Sequence, residues 1–225
     1  MPTLGESLPA ILAALADRYG RPSTVPLPED RFAAILAAYL GRTLEPRKVQ
    51  AALVALQEAG LLDPAALAAA DLAEVADATK SAKVPLSPRV LKPLGRLARW
   101  VADRGVEELT DAPVSVLREE LAALNGIGPA SADAILLLAL GRPSYPVDQA
   151  TYRILTRHGW IDESANYEEA RDVIEQAAHD DPATLAHLSS WLERLGRDFC
   201  RLRVAKCEYC PLQPFLPEGG PWEPD

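Results

Sequence analysis

One aspartate in this sequence stands where a fixed carboxylate could do chemistry. Asp148 ends the segment Pro146-Val147-Asp148, which lies a few residues beyond a predicted helix. A carboxylate held beside a bound substrate can stabilise developing positive charge or accept a proton from water. The alternative is that Asp148 only caps the helix that follows it. Which interpretation is favoured depends on the chain that precedes this segment.

A glycine turn precedes Asp148, between predicted helices at 113–123 and 129–141. It reads Asn125-Gly126-Ile127-Gly128-Pro129. Glycine permits positive φ and close approach of a ligand to the backbone, and proline suits a first helical turn. The N–H groups at such a helix start can hold one phosphate without reading a base. The alternative is a tight turn between core helices, but the Pro-Val-Asp segment beyond the second helix favours nucleic acid.

Three closely spaced cysteines form the second chemical group. Cys200, Cys207 and Cys210 have the spacing C-x6-C-x2-C, and the chain has no other cysteine. Three thiols within eleven residues do not make a disulfide framework. Soft ligands at this spacing suit an iron–sulfur cluster or zinc.

The charge of the chain is negative overall and unevenly distributed. A net charge of −9 argues against a nonspecific nucleic-acid coat. Residues 79–104 nevertheless carry seven basic residues against one acid, and residues 191–206 carry five against two. A basic stripe on an acidic body fits binding of DNA along one groove. The alternative for each run alone is an ordinary solvated helix face.

The elements that must position these groups are helices. Alanine and leucine dominate and β-branched runs are absent, so the sequence predicts an all-α protein. The apolar run 134–140 is too short to span a membrane, and the first residues lack a signal-peptide pattern. We therefore expect a cytoplasmic, nucleoid-associated monomer with no membrane partner. In addition to the two helices that flank the glycine turn, helices are predicted at 8–19, 29–41, 46–60, 64–78, 87–104, 149–158, 167–179 and 182–200. An extended or frayed tail is predicted at 214–225.

The hairpin, Asp148 and the cysteines together resemble the helix-hairpin-helix (HhH-GPD) DNA glycosylase superfamily, in particular its endonuclease III-like members. The resemblance implies a two-lobed helical fold with a DNA groove between the lobes. One lobe is a helical barrel domain at 30–143 that ends in the helix-hairpin-helix. The other comprises 1–29 and 144–225 and carries the iron–sulfur-type cysteine loop. The segment 131–136 is also similar to the 3-methyladenine DNA glycosylase branch.

The implied function is base excision repair of damaged duplex DNA, with Asp148 as the catalytic residue. Bifunctional relatives use a Schiff-base lysine eighteen residues before the aspartate, where this chain has Ala130. The resemblance therefore implies a monofunctional glycosylase, with AP-lyase activity not expected. The alternative is a lesion-DNA-binding protein of the same fold with little or no turnover.

The resemblance also implies roles for further residues. Expected DNA contacts are Asn125, Gly126, Ile127, Gly128, Ala130, Ser131, Lys92, Arg201, Arg203 and Lys206. No glutamine stands where relatives fill the gap left by the flipped base, so the candidates for the wedge or the base pocket are Tyr39, Arg42, Tyr145 and Tyr152.

The implied cofactor is a [4Fe–4S] cluster on Cys200, Cys207 and Cys210. The position of the fourth cysteine of the family is Leu216, so water or a tail carboxylate such as Glu218 would complete the cluster. A three-iron cluster or no metal are the alternatives. We expect Asp133 to be a solvated or capping acid, and the three histidines to lie at the surface.

Overall fold

The computed structural model describes residues 2–20 and 28–222, and within those ranges it contains helices and no strand. The all-α prediction is confirmed. None of the helices in the described part of the chain is long and apolar enough to cross a membrane. The α-helices are α1 (Leu4–Tyr19), α2 (Arg31–Leu40), α3 (Pro46–Glu58), α4 (Pro64–Ala69), α5 (Leu72–Ser81), α6 (Pro88–Arg104), α7 (Glu108–Asp111), α8 (Val114–Ala123), α9 (Pro129–Ala134), α10 (Gln149–Arg157), α11 (Tyr167–Ala177) and α12 (Pro182–Asp198).

The chain divides into two compact units. The central unit comprises residues 25–142, and the terminal unit comprises 1–24 together with 143–225. In the central unit, α2 is apolar on nearly all sides, as expected of a helix at the centre of a core. It packs against α3, α6 and α9. In the terminal unit, α10 packs on α12, and α1 packs on α11 and α12.

Three helix predictions need correction. The predicted helix 64–78 is two helices, because Ala70 is extended and the Asp71 side chain caps α5 by accepting from the Glu74 N–H. The first helix begins at Leu4 rather than at residue 8, with Thr3 and Glu6 forming a capping box. The helix predicted over 129–141 is α-helical only to Ala134 and continues as a π-helix over Ile135–Ala139.

The tail also differs from the expectation of an extended or frayed end. A short 3₁₀ turn at Gln213–Phe215 leads into the tail, and another at Cys207–Tyr209 precedes it; residues 223–225 of the predicted tail lie outside the described part of the chain. The Trp222 N–H donates a hydrogen bond of 3.0 Å to the Arg157 carbonyl at the end of α10. The described part of the tail therefore folds back on its own unit.

Candidate active site and cysteine cavity

Asp148 is the N-cap residue of α10. Its Oδ1 accepts a hydrogen bond of 2.6 Å from the Thr151 N–H, and the residue is partly exposed. The hydrogen bond satisfies one of the free N–H groups at the helix start and fixes the orientation of the side chain. Among the described residues Oδ2 has no hydrogen-bond partner, so one oxygen is anchored and the other is available. The capping role and a catalytic role are therefore compatible.

Buried contacts hold the segment before Asp148 in place. Tyr145 is fully buried; its N–H donates to Glu175 Oε1 at 2.6 Å, and its hydroxyl lies 3.3 Å from Thr151 Oγ1. The Tyr152 hydroxyl lies 2.7 Å from both the Glu163 and the Ala165 carbonyl oxygens. The structure thus places both tyrosines that were pocket candidates in positions that support the fold.

The glycine turn is buttressed by α6. Gly126 has φ +93°, and a Cβ at this position would lie 2.5 Å from Pro93 Cγ. Arg96 Nη1 donates to the Asn125 carbonyl at 2.7 Å, and Ile127 is buried. Gly128 differs from the expectation: its φ is −81°, and a Cβ would have no heavy atom within 4 Å. Of the two glycines in this turn, only Gly126 therefore has a backbone conformation that requires glycine.

The start of α9 presents unpaired backbone donors. Gly128 is exposed, Ala130 and Ser131 are partly exposed, and Pro129 begins the helix. In the described ranges, no backbone partner is found for the N–H groups of Gly128 and Ala130, whereas the Ser131 N–H donates to the Gly128 carbonyl at 2.9 Å. Ile127 points into the core, so it anchors the turn and is not itself a surface contact.

Asp133 is a structural acid. It is fully buried and forms an ion pair with Arg118, with Oδ1 2.6 Å from Nε and Oδ2 3.2 Å from Nη2. The expectation of a solvated or capping acid was wrong, because the guanidinium on α8 replaces the water that the carboxylate loses on burial. The pair joins the two helices of the hairpin.

The other candidates of the central unit lie in different environments. Tyr39 is buried, its hydroxyl donates to the Val90 carbonyl at 3.3 Å, and burial raises its pKa. These contacts favour a core role over a wedge role. Arg42 lies exposed after α2, and Lys92 lies exposed on α6.

The three cysteines face one cavity in the terminal unit. Cys200, Cys207 and Cys210 line this cavity together with Leu216. Across residues 2–20 and 28–222, no three His, Cys, Asp or Glu side chains are arranged to hold a single metal ion. Burial, with a contribution from the other two thiols, raises the pKa of Cys210 to about 11. The three thiols therefore share the lining of one cavity in the terminal unit.

Two residues that sequence reasoning missed line the same cavity. Arg157 Nη1 lies 3.4 Å from Cys200 Sγ and 2.9 Å from the Arg201 carbonyl oxygen. His158 is buried, contrary to the expectation of a surface histidine, because it ends α10 against the cysteine loop. Both residues lie more than forty positions before Cys200, so spacing gave no signal for either.

The basic residues of the cysteine loop are exposed. Arg201 donates from Nε to the Arg197 carbonyl at 3.1 Å, and Arg203 and Lys206 lie on the same loop. The candidate fourth ligand Glu218 is exposed and does not line the cavity, whereas Gln213 does.

The fold is that of the helix-hairpin-helix DNA glycosylases. The chain superimposes on a solved structure of endonuclease III trapped as a covalent intermediate with DNA, with a TM-score of 0.72 and 20% identity over 97% of this chain and 98% of that one. A 3-methyladenine DNA glycosylase from Archaeoglobus fulgidus gives a TM-score of 0.55 at 18% identity, over 88% of this chain and 71% of that one.

Sequence relatives agree with the fold. The chain is 29% identical over 215 residues to protein MJ1434 of Methanocaldococcus jannaschii, provisionally named a DNA repair glycosylase; the match covers 93% of this chain and 96% of the relative. It is 26% identical over 192 residues to endonuclease III of Sulfolobus acidocaldarius; the match covers 82% of this chain and 80% of the relative. No family model matches. The homologues of this chain are thus endonuclease III-like and DNA repair glycosylases, and the resemblance stated from the sequence is confirmed.

Proposed function

We propose that this protein is a base excision repair glycosylase that acts on damaged bases in duplex DNA, as a monomer. The observation that carries the proposal is Asp148, a carboxylate with one oxygen anchored by the Thr151 N–H and the other available, in a chain with endonuclease III-like relatives. Such an enzyme flips the damaged nucleotide out of the duplex and cleaves its N-glycosidic bond.

Asp148 supplies the negative charge that this reaction needs. The carbon–nitrogen bond breaks as positive charge develops on the sugar, and its electron pair leaves with the base. The available oxygen stabilises that charge and accepts a proton from the water that attacks C1′. Because the other oxygen is bound to the helix start, the carboxylate needs no reorientation during the reaction.

The absence of a lysine supports a monofunctional reaction. A Schiff-base mechanism requires a side-chain amine, and the hairpin segment 113–142 contains no lysine. Ala130 stands at the corresponding position, partly exposed at the start of α9. Water is then the nucleophile, and the abasic product leaves with its strand intact.

The hairpin is the proposed phosphate-binding element. The Gly128 and Ala130 N–H groups and the Ser131 hydroxyl supply donors at the start of α9, and Asn125 lies beside them on the turn. Gly126 and Ile127 shape this turn. Lys92, Arg201, Arg203 and Lys206 supply exposed positive charge, which contributes to affinity and to its salt dependence.

The cysteine cavity is proposed to hold a [4Fe–4S] cluster. Three thiols spaced C-x6-C-x2-C line one cavity, and soft sulfur ligands at this spacing suit an iron–sulfur cluster. Arg157 is placed to donate to a Cys200 thiolate at 3.4 Å, and Cys200, Cys207 and Cys210 would hold the iron. When bound, the cluster would fix the loop that carries Arg201, Arg203 and Lys206.

The test is base release by wild-type protein and Asp148→Asn. Asparagine also accepts the Thr151 N–H bond, so α10 keeps its cap and the variant folds. Duplexes carrying oxidised, alkylated, deaminated or mismatched bases are scored for nicks with and without alkali. We expect nicks only after alkali, and about 10²–10³-fold slower release by the variant.

The matched control is Asp181→Asn. Asp181 caps α12 by accepting from the Thr184 N–H at 2.8 Å, so this variant makes the same chemical change at another helix start. Its base release should equal that of the wild type. Equal release by Asp148→Asn and the wild type would refute the catalytic assignment.

The alternative is a lesion-binding protein with little turnover. It is favoured by the lost lysine and by the burial of Tyr39, which removes one of the wedge candidates. Tight binding of a lesion duplex by the wild type, without base release at high protein concentration, would replace the enzymatic proposal with this one.

A further inference from the structure

Two aliphatic residues between the first and second cysteines are unusually exposed. Leu202 is 72% exposed and Val204 is 70% exposed. Among the other Leu, Ile and Val residues that the structure describes, the most exposed is Leu72, at 45%. One exposed apolar side chain needs no explanation, but two that lie this bare on one short segment indicate a contact surface.

Basic side chains stand on either side of these two residues. The segment Arg-Leu-Arg-Val-Ala-Lys at 201–206, called here the loop 201–206, carries three positive charges and no acid in a chain with a net charge of −9. Arg201, Arg203 and Lys206 are all exposed. This combination fits a polyanion that has apolar surface between its charges. The minor groove of duplex DNA is such a surface, because rows of phosphates border a groove whose walls are sugars.

The loop 201–206 is closed at its base. The Phe199 carbonyl oxygen accepts hydrogen bonds of 2.9 Å from the N–H groups of both Arg201 and Lys206. Phe199 itself is buried at the end of α12, so this acceptor is fixed by the core of the terminal unit. Leu202 and Val204 therefore lie on a tip that projects from a fixed base.

Two arginines of α10 hold the same base from the other side. Arg153 Nη2 donates to the Cys200 carbonyl at 3.1 Å, and Arg157 Nη1 donates to the Arg201 carbonyl at 2.9 Å. The two arginines are four residues apart, so they lie on one face of the helix. Asp148 is the N-cap of that helix. The element that positions the proposed catalytic carboxylate thus also positions the loop 201–206.

A second copy of this chain is the competing occupant, since its acidic residues would attract the three bases. A stable protein interface buries about 1,000 Å² or more, with a continuous apolar centre. Two aliphatic side chains on a narrow tip supply only a small part of such an area. A tip of this kind instead resembles the apolar side chains that minor-groove proteins insert beside basic residues.

We infer that Leu202 and Val204 enter the minor groove of duplex DNA, while Arg201, Arg203 and Lys206 contact the phosphates that border it. The inference rests on the proposed binding to DNA and assigns the loop a second kind of contact. Phosphate contacts release counterions, so their contribution to affinity falls as salt is added. Apolar contacts release no counterions, so the contribution of Leu202 and Val204 is the same at every salt concentration.

The experiment measures binding of the full chain to an undamaged A·T-rich duplex over a series of salt concentrations. Leu202→Ser/Val204→Ser should bind about 5–30-fold more weakly at each concentration, because apolar burial is lost. Its slope of log affinity against log salt should equal that of the wild type. Arg203→Gln should instead make this slope shallower by about 0.9. Netropsin, which fills the minor groove of A·T pairs, should remove the difference between the wild type and the double variant.

The matched control is Val54→Ser/Leu72→Ser. It makes the same exchange at two positions of the central unit that are 41% and 45% exposed, and it should bind as the wild type does. Helical circular dichroism and iron content are measured for every variant. Values equal to those of the wild type show that a change in affinity comes from the tip and not from a misfolded cysteine loop.

The failures are distinguishable. Wild-type protein that binds no duplex overturns the proposed function together with this inference. A wild type that binds, with a double variant of equal affinity, overturns this inference alone, as does a loss that netropsin leaves unchanged. A wild-type dimer in sedimentation that the double variant does not form assigns the tip to a second copy and also overturns it. None of these measurements depends on base release, which tests Asp148 separately.

Discussion

The two glycines of the hairpin turn should respond differently to the same substitution, alanine. Gly126 has φ +93°, and an added Cβ would lie 2.5 Å from Pro93 Cγ, a ring atom that cannot rotate away. Gly128 has φ −81°, and an added Cβ would have no neighbour within 4 Å. Both variants add the same methyl group, so a difference in their stability reports the backbone strain and steric overlap at Gly126.

The magnitude follows from two contributions at Gly126. A left-handed backbone conformation costs an L-residue about 1–2 kcal/mol. Forcing a methyl group into a packed site costs about 1–3 kcal/mol, since Pro93 lies inside α6 and moves only with that helix. Gly126→Ala should lower the free energy of unfolding by about 2–5 kcal/mol. Gly128→Ala replaces an N-cap glycine and should lower it by no more than about 1 kcal/mol.

The assay is thermal and urea unfolding, followed by the helical circular dichroism signal. For a chain of this size, Gly126→Ala should lower Tm by about 4–20 °C and Gly128→Ala by less than about 4 °C. Duplex binding by Gly128→Ala should weaken with little loss of stability, because the methyl group lies beside the donors proposed to hold phosphate. Equal stability of the two variants would refute the strain argument, and unchanged binding by Gly128→Ala would refute the phosphate site.

Three further predictions concern buried and capping groups. Asp133→Ala leaves Arg118 beside a buried void and should lower the free energy of unfolding by about 3–5 kcal/mol in urea unfolding. Asn166→Ala removes both acceptor contacts of the α11 capping box and should cost about 0.5–2 kcal/mol by the same measurement. Burial, and then Asp198, raise the pKa of Tyr19 from its ordinary 10.0 to about 12. The neutral phenol therefore stabilises the fold below pH 10, and this stability is lost as the pH rises from 10 to 12. Wild-type stability should fall more steeply than that of Tyr19→Phe over this window in pH-dependent unfolding.

Each of these predictions has an outcome that contradicts it. Asp172→Ala, which removes a half-exposed partner of Arg171, is the control for Asp133→Ala and should cost less than about 1 kcal/mol. Equal losses for the two would contradict the buried-pair argument. An Asn166→Ala variant as stable as the wild type would contradict the capping box. Parallel pH curves for the wild type and Tyr19→Phe would contradict the perturbed phenol.

The helical class could be predicted from the sequence because it depends on local properties of the chain. The break between α4 and α5 was missed because residues 66–70 are all strong helix formers, so the sequence predicts a continuous helix there. The break depends on the Asp71 side chain, which competes for the backbone by capping the next helix. The π-helical end of the hairpin was missed because the apolar pattern of 135–139 fits an α-helix as well.

In the candidate site, too, local motifs could be predicted from the sequence and contacts between distant segments could not. The glycine turn and Asp148 are contiguous motifs, so the sequence indicated them. His158 and the partners of Asp133 depend on contacts between distant segments. His158 reaches the cysteine loop because α10 ends there, and Arg118 meets Asp133 because two helices pack side by side. The spacing of these residues along the chain therefore could not predict either contact.

The buttressed glycine turn has a thermodynamic consequence for the proposed binding to DNA. Pro93 against Gly126, the Arg96 hydrogen bond to the Asn125 carbonyl and the burial of Ile127 hold the turn in one conformation in the free protein. Ordering a loop at the moment of binding costs affinity, because backbone entropy is lost. A turn ordered in advance by the folding of the central unit avoids that loss. The attraction between phosphate and the amide donors is then not reduced by the cost of ordering the turn, which favours binding although the chain as a whole is acidic.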